Sequence, residues 1–504
     1  MTARMRRYVS TGAGLLASAM AGAALVAAFA PLSWSVLAPF SLAVPFALSR
    51  RVKPVHAAAI GYAFGLGLFG AGVAWIHIAV ETVGGPAWLA WLAAAGLAVF
   101  LSAYPALALG GAAWLAAPRR GGLLVIAWPG LWVLVEWLRG WLFTGFPWLQ
   151  LGYSQTGTAW ADWVAPVGGV LAISLICATV AATLAYGVAT RRWRLTGTAV
   201  ALWAVLGIVP SPDRPIGTQP TGGRLRVALV QGDIAQTRKW QPKEQQAIVD
   251  RYRRLSAPYW NRVGLIVWPE TAIPAIYVNG TARPYAALAA RARHSRAKLF
   301  AGTLRLDHGQ IYNSVIDMGS GRASDKSHLV PFGEYTPLRP LFAPLLNRLG
   351  ISGTDLSSGH KMQSLAVAGT KAGMPICYEM AFANNLARRA ADAGILVNVS
   401  DDVWFGHSIG LWQNREIARM RALETGRPVI RDTNTGLTAV IGADGRLAST
   451  LAPFKPGVLI ASVQPRTGST PYRRGGGMAP IIVATLMILL AGSIARGKER
   501  FVAR

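Results

Sequence analysis

The chain has 504 residues, 53% of them apolar and only 14% charged, with a formal net charge of +28. That much apolar content excludes an ordinary soluble enzyme, and basic residues that punctuate apolar runs, instead of clustering on polar domains, argue against a nucleic-acid binder. The two cysteines, Cys177 in an apolar run and Cys377 far away in a polar region, supply neither a disulfide framework nor a zinc site.

Seven apolar stretches fill the first 210 residues, at 12–30, 33–48, 56–80, 87–110, 121–138, 163–187 and 195–209, and an eighth lies at 478–495. Most approach the ~20 residues that a bilayer core requires, while those starting at 33 and 195 are short enough to be buried or interfacial. Every second loop is basic. Arg4, Arg6 and Arg7 precede the first stretch, Arg50, Arg51 and Lys53 follow the second, Arg119 and Arg120 the fourth, and Arg191, Arg192 and Arg194 the sixth. The intervening loops are nearly free of lysine and arginine, Arg139 excepted, and the tail carries Arg496, Lys498, Arg500 and Arg504. The positive-inside rule then puts both termini in the cytoplasm and the polar region between the seventh and eighth stretches outside it. The expected organisation is seven transmembrane helices in 1–210, an outer domain in 211–477, and an eighth transmembrane helix with a cytoplasmic tail in 478–504. The first stretch has the basic start and small residues of a signal peptide, but its run exceeds the usual ~7–15 apolar residues, so a retained helix is expected.

The outer region alternates. Short β-branched runs at 227–230, 263–268, 298–302, 394–399 and 428–430 predict strands; the patterns at 244–255, 285–297 and 416–424 predict helices. Hairpin turns are expected at 307–309 and 443–445. The mixture implies an α/β domain with a mixed sheet or sheets covered by helices.

Reactive residues in α/β folds gather where strands end, and three candidates lie at such places. Glu270, in VWPETAIP, follows an apolar strand; partly desolvated beside Trp268 and Pro269 it would hold its proton more tightly than in water and suit a general base. Position alone favours the alternative, a solvated loop acid. Cys377, in GMPICYEM, sits where a short strand turns into a helix starting near Met380, and a helix N-terminus favours the thiolate. A lone cysteine is otherwise a small buried hydrophobe, although an unpaired thiol outside the cytoplasm is a liability unless used. Lys326, in DKSHLVPFGEYTP, would stabilise a thiolate and an oxyanion, with the second acid Glu334 steering its ammonium; alone it reads as a surface charge. His328 reads as structural, since nothing at metal-ligand spacing accompanies it.

Taken in order, these segments resemble the glutamate, lysine and cysteine triad of the nitrilase, or carbon-nitrogen hydrolase, superfamily. With the apolar stretches added, WPETAIP, HLVPFGEYTPLRP, PICYE, WFG and RGWLFTGFPWLQLGYS resemble the apolipoprotein N-acyltransferase family over nearly the whole chain. The resemblance implies an αββα sandwich for the outer domain, with Glu270 as base, Lys326 as electrostatic stabiliser and Cys377 as nucleophile. It also draws in Trp240, Glu334, Tyr378 and Glu379, and leaves Trp404 and Phe405 to line the pocket. One departure is visible. The family usually has asparagine where Asp401 precedes Asp402 in VSDDVWFG, so a polar role of that asparagine is not carried over.

The implied reaction is a ping-pong acyl transfer at the outer face of a bacterial inner membrane. A phospholipid donates its acyl group to Cys377, and the α-amino group of a diacylglyceryl-cysteine apolipoprotein accepts it; no metal, nucleotide or other cofactor is needed, and no nucleic acid is involved. Lys326 and the backbone N–H of Tyr378 are candidates for the oxyanion hole. The run 340–349, PLFAPLLNRL, is either a lid dipping into lipid or buried core. Glu136 and Arg139, at i, i+3 spacing, read as a structural ion pair, with contact between Arg139 and a donor phosphate as the functional alternative. The rival enzyme is a membrane-tethered amidase using the same triad with water as acceptor.

Overall fold

A computed structural model describes residues 3–116, 122–278, 285–348, 355–359 and 363–502, and gives the backbone alone for 3–11, 345–347 and 496–502. Arg119, Arg120, Leu349 and Arg504, and the side chains of the other basic residues at the two ends named above, lie outside the described residues. The chain folds into two compact units, one of Met1–His77, Trp91–Asp213 and Gly477–Arg504, the other of Ile78–Ala90 and Arg214–Gly476.

The first unit is helical, and each of the eight apolar stretches forms helix. Among the described residues three helices are long and apolar enough to cross a membrane: Pro54–Gly72, Ala87–Ala116 and Ala159–Ala189. The third stretch differs from its expected single run, because the helix ends at Gly72 and a separate helix, Ile76–Thr82, follows. Helices Ala3–Leu25 and Pro54–Gly72 approach until a Cβ on Gly22 would stand 2.0 Å from the Phe64 carbonyl oxygen, and one on Gly67 would stand 1.9 Å from that of Ala19. Close backbone approach through small residues is how apolar helices gain packing where no water drives them together. Large apolar side chains such as Leu16, Trp91, Leu92, Trp114, Leu486 and Leu489 are exposed on helix surfaces, as lipid contact requires.

The buried charges Glu136 and Arg139 bind the chain that follows their helix. Glu136 Oε1 accepts from Trp132 Nε1 at 3.0 Å and from the Leu151 N–H at 2.7 Å, while Arg139 Nη1 donates to the Phe146 carbonyl at 2.8 Å and to the Trp148 carbonyl. These bonds tie each residue to the chain segment after the helix; they are not the ion pair expected between the two.

The second unit contains two six-stranded mixed sheets. In order across the first lie Gly457–Val463, Leu225–Gln231, Leu265–Val278, Lys298–Asp307, Gln310–Asp317 and Ala323–Asp325; across the second lie Leu447–Thr450, Ala439–Ile441, Val429–Thr433, Ile395–Ser400, Thr370–Gly373 and Leu365–Val367. Period-two alternation explains the layering. Val227, Leu229, Leu265, Val267 and Phe300 pack against Ile395, Val397, Val399 and Ile430 of the opposite sheet. Their neighbours Ala228, Val230, Ile266 and Trp268 face Ile248, Val249 and Tyr252 of helix Gln245–Ser256 and Leu288 and Ala292 of helix Ala286–His294. Helix Gly410–Thr425, buried along most of its length, packs on Val429–Thr433, completing a helix, sheet, sheet, helix order. All five expected strands, the three helices and both turns are present, with ends shifted by a few residues. The largest shift is in Leu265–Val278, which does not stop at Trp268 but runs on through Glu270, with register irregularities against its neighbour between Trp268 and Ile276.

Candidate active site

The irregular stretch of Leu265–Val278 carries Glu270, so this acid is neither beyond a strand end nor solvated: it is 6% exposed. Thr271 takes φ 48°, which turns the chain out of regular pairing. Gly302 on the neighbouring strand makes room, since a Cβ there would lie 2.3 Å from the Pro269 oxygen and 2.7 Å from Glu270 Cα. Glu270 Oε1 accepts from Asn313 Nδ2 at 2.7 Å and from Lys326 Nζ at 3.4 Å, and Oε2 accepts from the Asp401 N–H at 2.8 Å.

Lys326 leaves the end of strand Ala323–Asp325 and is 1% exposed. Its ammonium reaches Glu334 Oε1 at 2.8 Å as well as Glu270. Burial alone would lower its proton affinity, but the Glu334 carboxylate, then Glu270, more than offset this and hold it above the ordinary lysine range. Glu334 also takes the Asn313 amide at 3.0 Å and the Val330 N–H at 2.8 Å. Asn313 and Lys326 thus each bridge the two carboxylates.

Cys377 opens the 3₁₀ turn Cys377–Ala381 with φ 50°, a left-handed conformation that costs a non-glycine residue of order 1–3 kcal/mol. Ile376, just before it, bridges to Val399 of the central strand, so the thiol is presented at that strand's end beside Ser400. The expected lowering of the thiol by a helix N-terminus does not occur. Burial first, then the Glu270 charge, push its proton affinity well up, with Lys326 opposing them; one tight turn offers too little aligned dipole to compensate. Burial thus favours the neutral form of the Cys377 thiol, with Glu270 and Lys326 as its charged neighbours.

The other expected residues fall into two groups. Glu379 lies between the Lys326 and Cys377 segments: its Oε1 accepts from the Ser327 N–H at 2.9 Å, the His328 N–H at 3.1 Å and Arg389 Nη2 at 2.6 Å, and its Oε2 accepts from the Ile376 N–H at 2.9 Å. It stitches the segment after Lys326 to the segment before Cys377. Tyr378 packs edge-on against Phe382 at 5.0 Å, and the His328 ring lies 3.6 Å from the same phenylalanine, in keeping with a structural histidine. Trp240 is exposed, Trp404 half-buried and Phe405 buried.

Sequence reasoning missed Asn313, Lys239 and Arg389. Only Asn313 left a trace, as an amide in the middle of the strand-like run QIYNSVID. Asp401, in the place of an asparagine, is joined to Lys239 Nζ at 2.5 Å. Among the described residues no group of three His, Cys, Asp or Glu is placed to hold a metal ion.

Two family models match, the N-terminal domain of apolipoprotein N-acyltransferase over residues 21–183 and carbon-nitrogen hydrolase over residues 226–472. An apolipoprotein N-acyltransferase of Methylococcus capsulatus is 38% identical over 475 residues, covering 92% of each chain. One of Nitrosomonas europaea is 39% identical over 499 residues, covering 95% of this chain and 97% of its own. A solved carbon-nitrogen hydrolase superfamily protein of Xanthomonas campestris covers 48% of this chain and 91% of its own at 17% identity and TM-score 0.37, a likeness too slight to carry argument. Identity at this level over nearly the full length, with both family models in the same order, shows that the chain belongs to the apolipoprotein N-acyltransferase family.

Proposed function

We propose that this protein transfers a fatty acyl group from a membrane phospholipid to the N-terminal α-amino group of diacylglyceryl-cysteine apolipoproteins, through a thioester on Cys377. The observation that carries the reading is the buried cluster in which Glu270, Lys326 and Glu334 share hydrogen bonds beside the Cys377 thiol, in a chain of this family.

Glu270 takes the thiol proton as the sulfur attacks the donor's ester carbonyl. The C–S bond forms, the ester C–O bond breaks, and the lysophospholipid leaves with the proton that Glu270 returns to its oxygen. A neutral resting thiol makes proton transfer part of the attack, so the base must already be in place. Lys326 and the Tyr378 N–H serve the oxyanion of the tetrahedral intermediate, a contribution worth about 10²–10³ in rate. The acceptor amine then attacks the thioester, C–N forms, C–S breaks, and Glu270 relays the amine proton to the departing sulfur. Trp240, Trp404 and Phe405 line the approach to the thiol, and Glu379 holds the Lys326 and Cys377 segments together.

Eight spanning helices, with both termini in the cytoplasm, would place residues 211–477 on the periplasmic side of the inner membrane, between transmembrane segments 1–210 and 478–504. The basic loops support that topology. Two spans suffice to tether a hydrolase; a substrate that never leaves the bilayer explains a larger helical unit.

Intact-mass analysis of wild type and Cys377→Ser after incubation with phospholipid, with no acceptor present, tests the chemistry. The expected result is a fatty-acyl increment on wild type alone, discharged by a diacylated lipopeptide. A folded enzyme that forms no adduct and releases no lysophospholipid would return the site to amidase chemistry.

A further inference from the structure

Lys239 ends the short helix Gln236–Lys239, one residue before the exposed Trp240, yet its side chain is turned inward and 3% exposed. Its ammonium meets Asp401 Oδ2 at 2.5 Å and the Glu270 carbonyl oxygen at 3.1 Å. Asp401 in turn donates its backbone N–H to Glu270 Oε2 at 2.8 Å. Glu270 is therefore gripped at both ends, its peptide by Lys239 and its carboxylate by Asp401. The pair is itself anchored: Asp401 Oδ1 accepts from Asn434 Nδ2 at 3.1 Å, and Asn434 Oδ1 accepts from the Ile234 N–H at 3.0 Å and the Tyr252 hydroxyl at 3.2 Å.

Burying two opposite charges is costly, and apolar replacements often serve stability as well or better. What apolar residues cannot supply is the ammonium bond to the Glu270 carbonyl and the ion pair that anchors residue 401, whose backbone N–H reaches the Glu270 carboxylate. We propose that Lys239 and Asp401 are positioning residues that fix Glu270 against the Cys377 thiol. This rests on the reading of Glu270 as the base. Lys239 touches no reacting atom; it acts through Glu270.

The test uses the full-length protein in a Cys177→Ala background, following alkylation of Cys377 by iodoacetamide by intact mass. Lys239→Met should slow alkylation about tenfold or more, since small misplacements of a catalytic group are expensive. In a Glu270→Gln background the same substitution should produce no further slowing, because the group it positions has lost its function. A Lys239→Met protein alkylated at the wild-type rate, or slowed equally in both backgrounds, overturns the proposal and leaves Lys239 a general stabiliser. If Glu270→Gln itself leaves the rate unchanged, the base assignment falls, and this proposal with it. Lys239→Met combined with Asp401→Asn leaves no buried charge unpaired and gives the same comparison should the single variant fail to fold.

Discussion

A thiol pushed up by burial has a consequence for stability that its reactivity does not reveal. The unfolded chain ionises Cys377 near the ordinary cysteine value of 9.0, whereas the folded site keeps the proton to higher pH. Below that value both states are protonated and the contribution is fully present; above it the unfolded state sheds protons first, and stability is lost as pH rises. Thermal unfolding of wild type and Cys377→Ala from pH 7 to 10.5 should therefore diverge above about pH 9, wild type falling faster. Parallel curves would mean that the thiol is not held neutral. Glu379 offers a second residue-level test. It and Arg389 are each 2% exposed, and breaking a buried pair by removing one partner costs about 3–5 kcal/mol. Glu379→Gln should accordingly lose stability along with activity, and Lys239→Met, which likewise leaves a buried acid unpaired, should lose stability too. The sequence made Glu270, Lys326, Cys377 and Glu334 legible because each stands in a recognisable segment. It did not make Lys239 or Arg389 legible, since a lysine beside a tryptophan and an arginine in a helix look like surface charges until the fold turns them inward.

At the scale of elements, short β-branched apolar runs were enough to predict the strands, because a strand buried on both of its faces is apolar throughout. The same logic failed at Glu270: polar residues inside Leu265–Val278 read as a strand end, but the strand bulges and continues. Gly302 is what admits that bulge, since a Cβ there would meet the Pro269 oxygen at 2.3 Å. Gly302→Ala should thus displace Glu270, costing about 1–3 kcal/mol by overpacking and a larger share of the acylation rate; a variant with altered melting and unaltered acylation would contradict it. Helix Arg339–Arg348 poses a separate question. Leu341 is 66% exposed and Leu338, just before the helix, 71%, while Phe342 packs against Phe332 at 5.4 Å, so the exposed leucines at the start of this helix are not core. Leu338→Ser with Leu341→Ser should leave the melting temperature within a degree or two, as surface changes do, while lowering turnover of a vesicle-borne donor several-fold. Equal loss with a short-chain, water-soluble donor would rule out a lipid-contacting role.

For the whole molecule, the decisive question is which side of the membrane holds residues 211–477, because the proposed function needs them on the side where the acceptor is met. The argument is electrostatic. Arg50, Arg51 and Lys53 sit between helices Leu37–Ser49 and Pro54–Gly72, and Arg191, Arg192 and Arg194 between Ala159–Ala189 and Trp193–Ile208, with the latter triplet reaching into the helix start. Both basic clusters must share one side if each intervening helix crosses once, and on the proposed topology that side is the cytoplasm, where short loops retain lysine and arginine. Arg51 and Arg293 are both exposed, the latter on the second unit, and so can each report their side as a single engineered cysteine. In a background lacking Cys177 and Cys377, Arg293→Cys should react with a membrane-impermeant maleimide in intact spheroplasts, and Arg51→Cys only after the membrane is opened. The reverse pattern would invert the topology and remove the outer-leaflet acceptor. Labelling of both positions before permeabilisation would mean that an odd number of the helices between them fails to cross, which the shorter helix Trp193–Ile208 makes the first place to look.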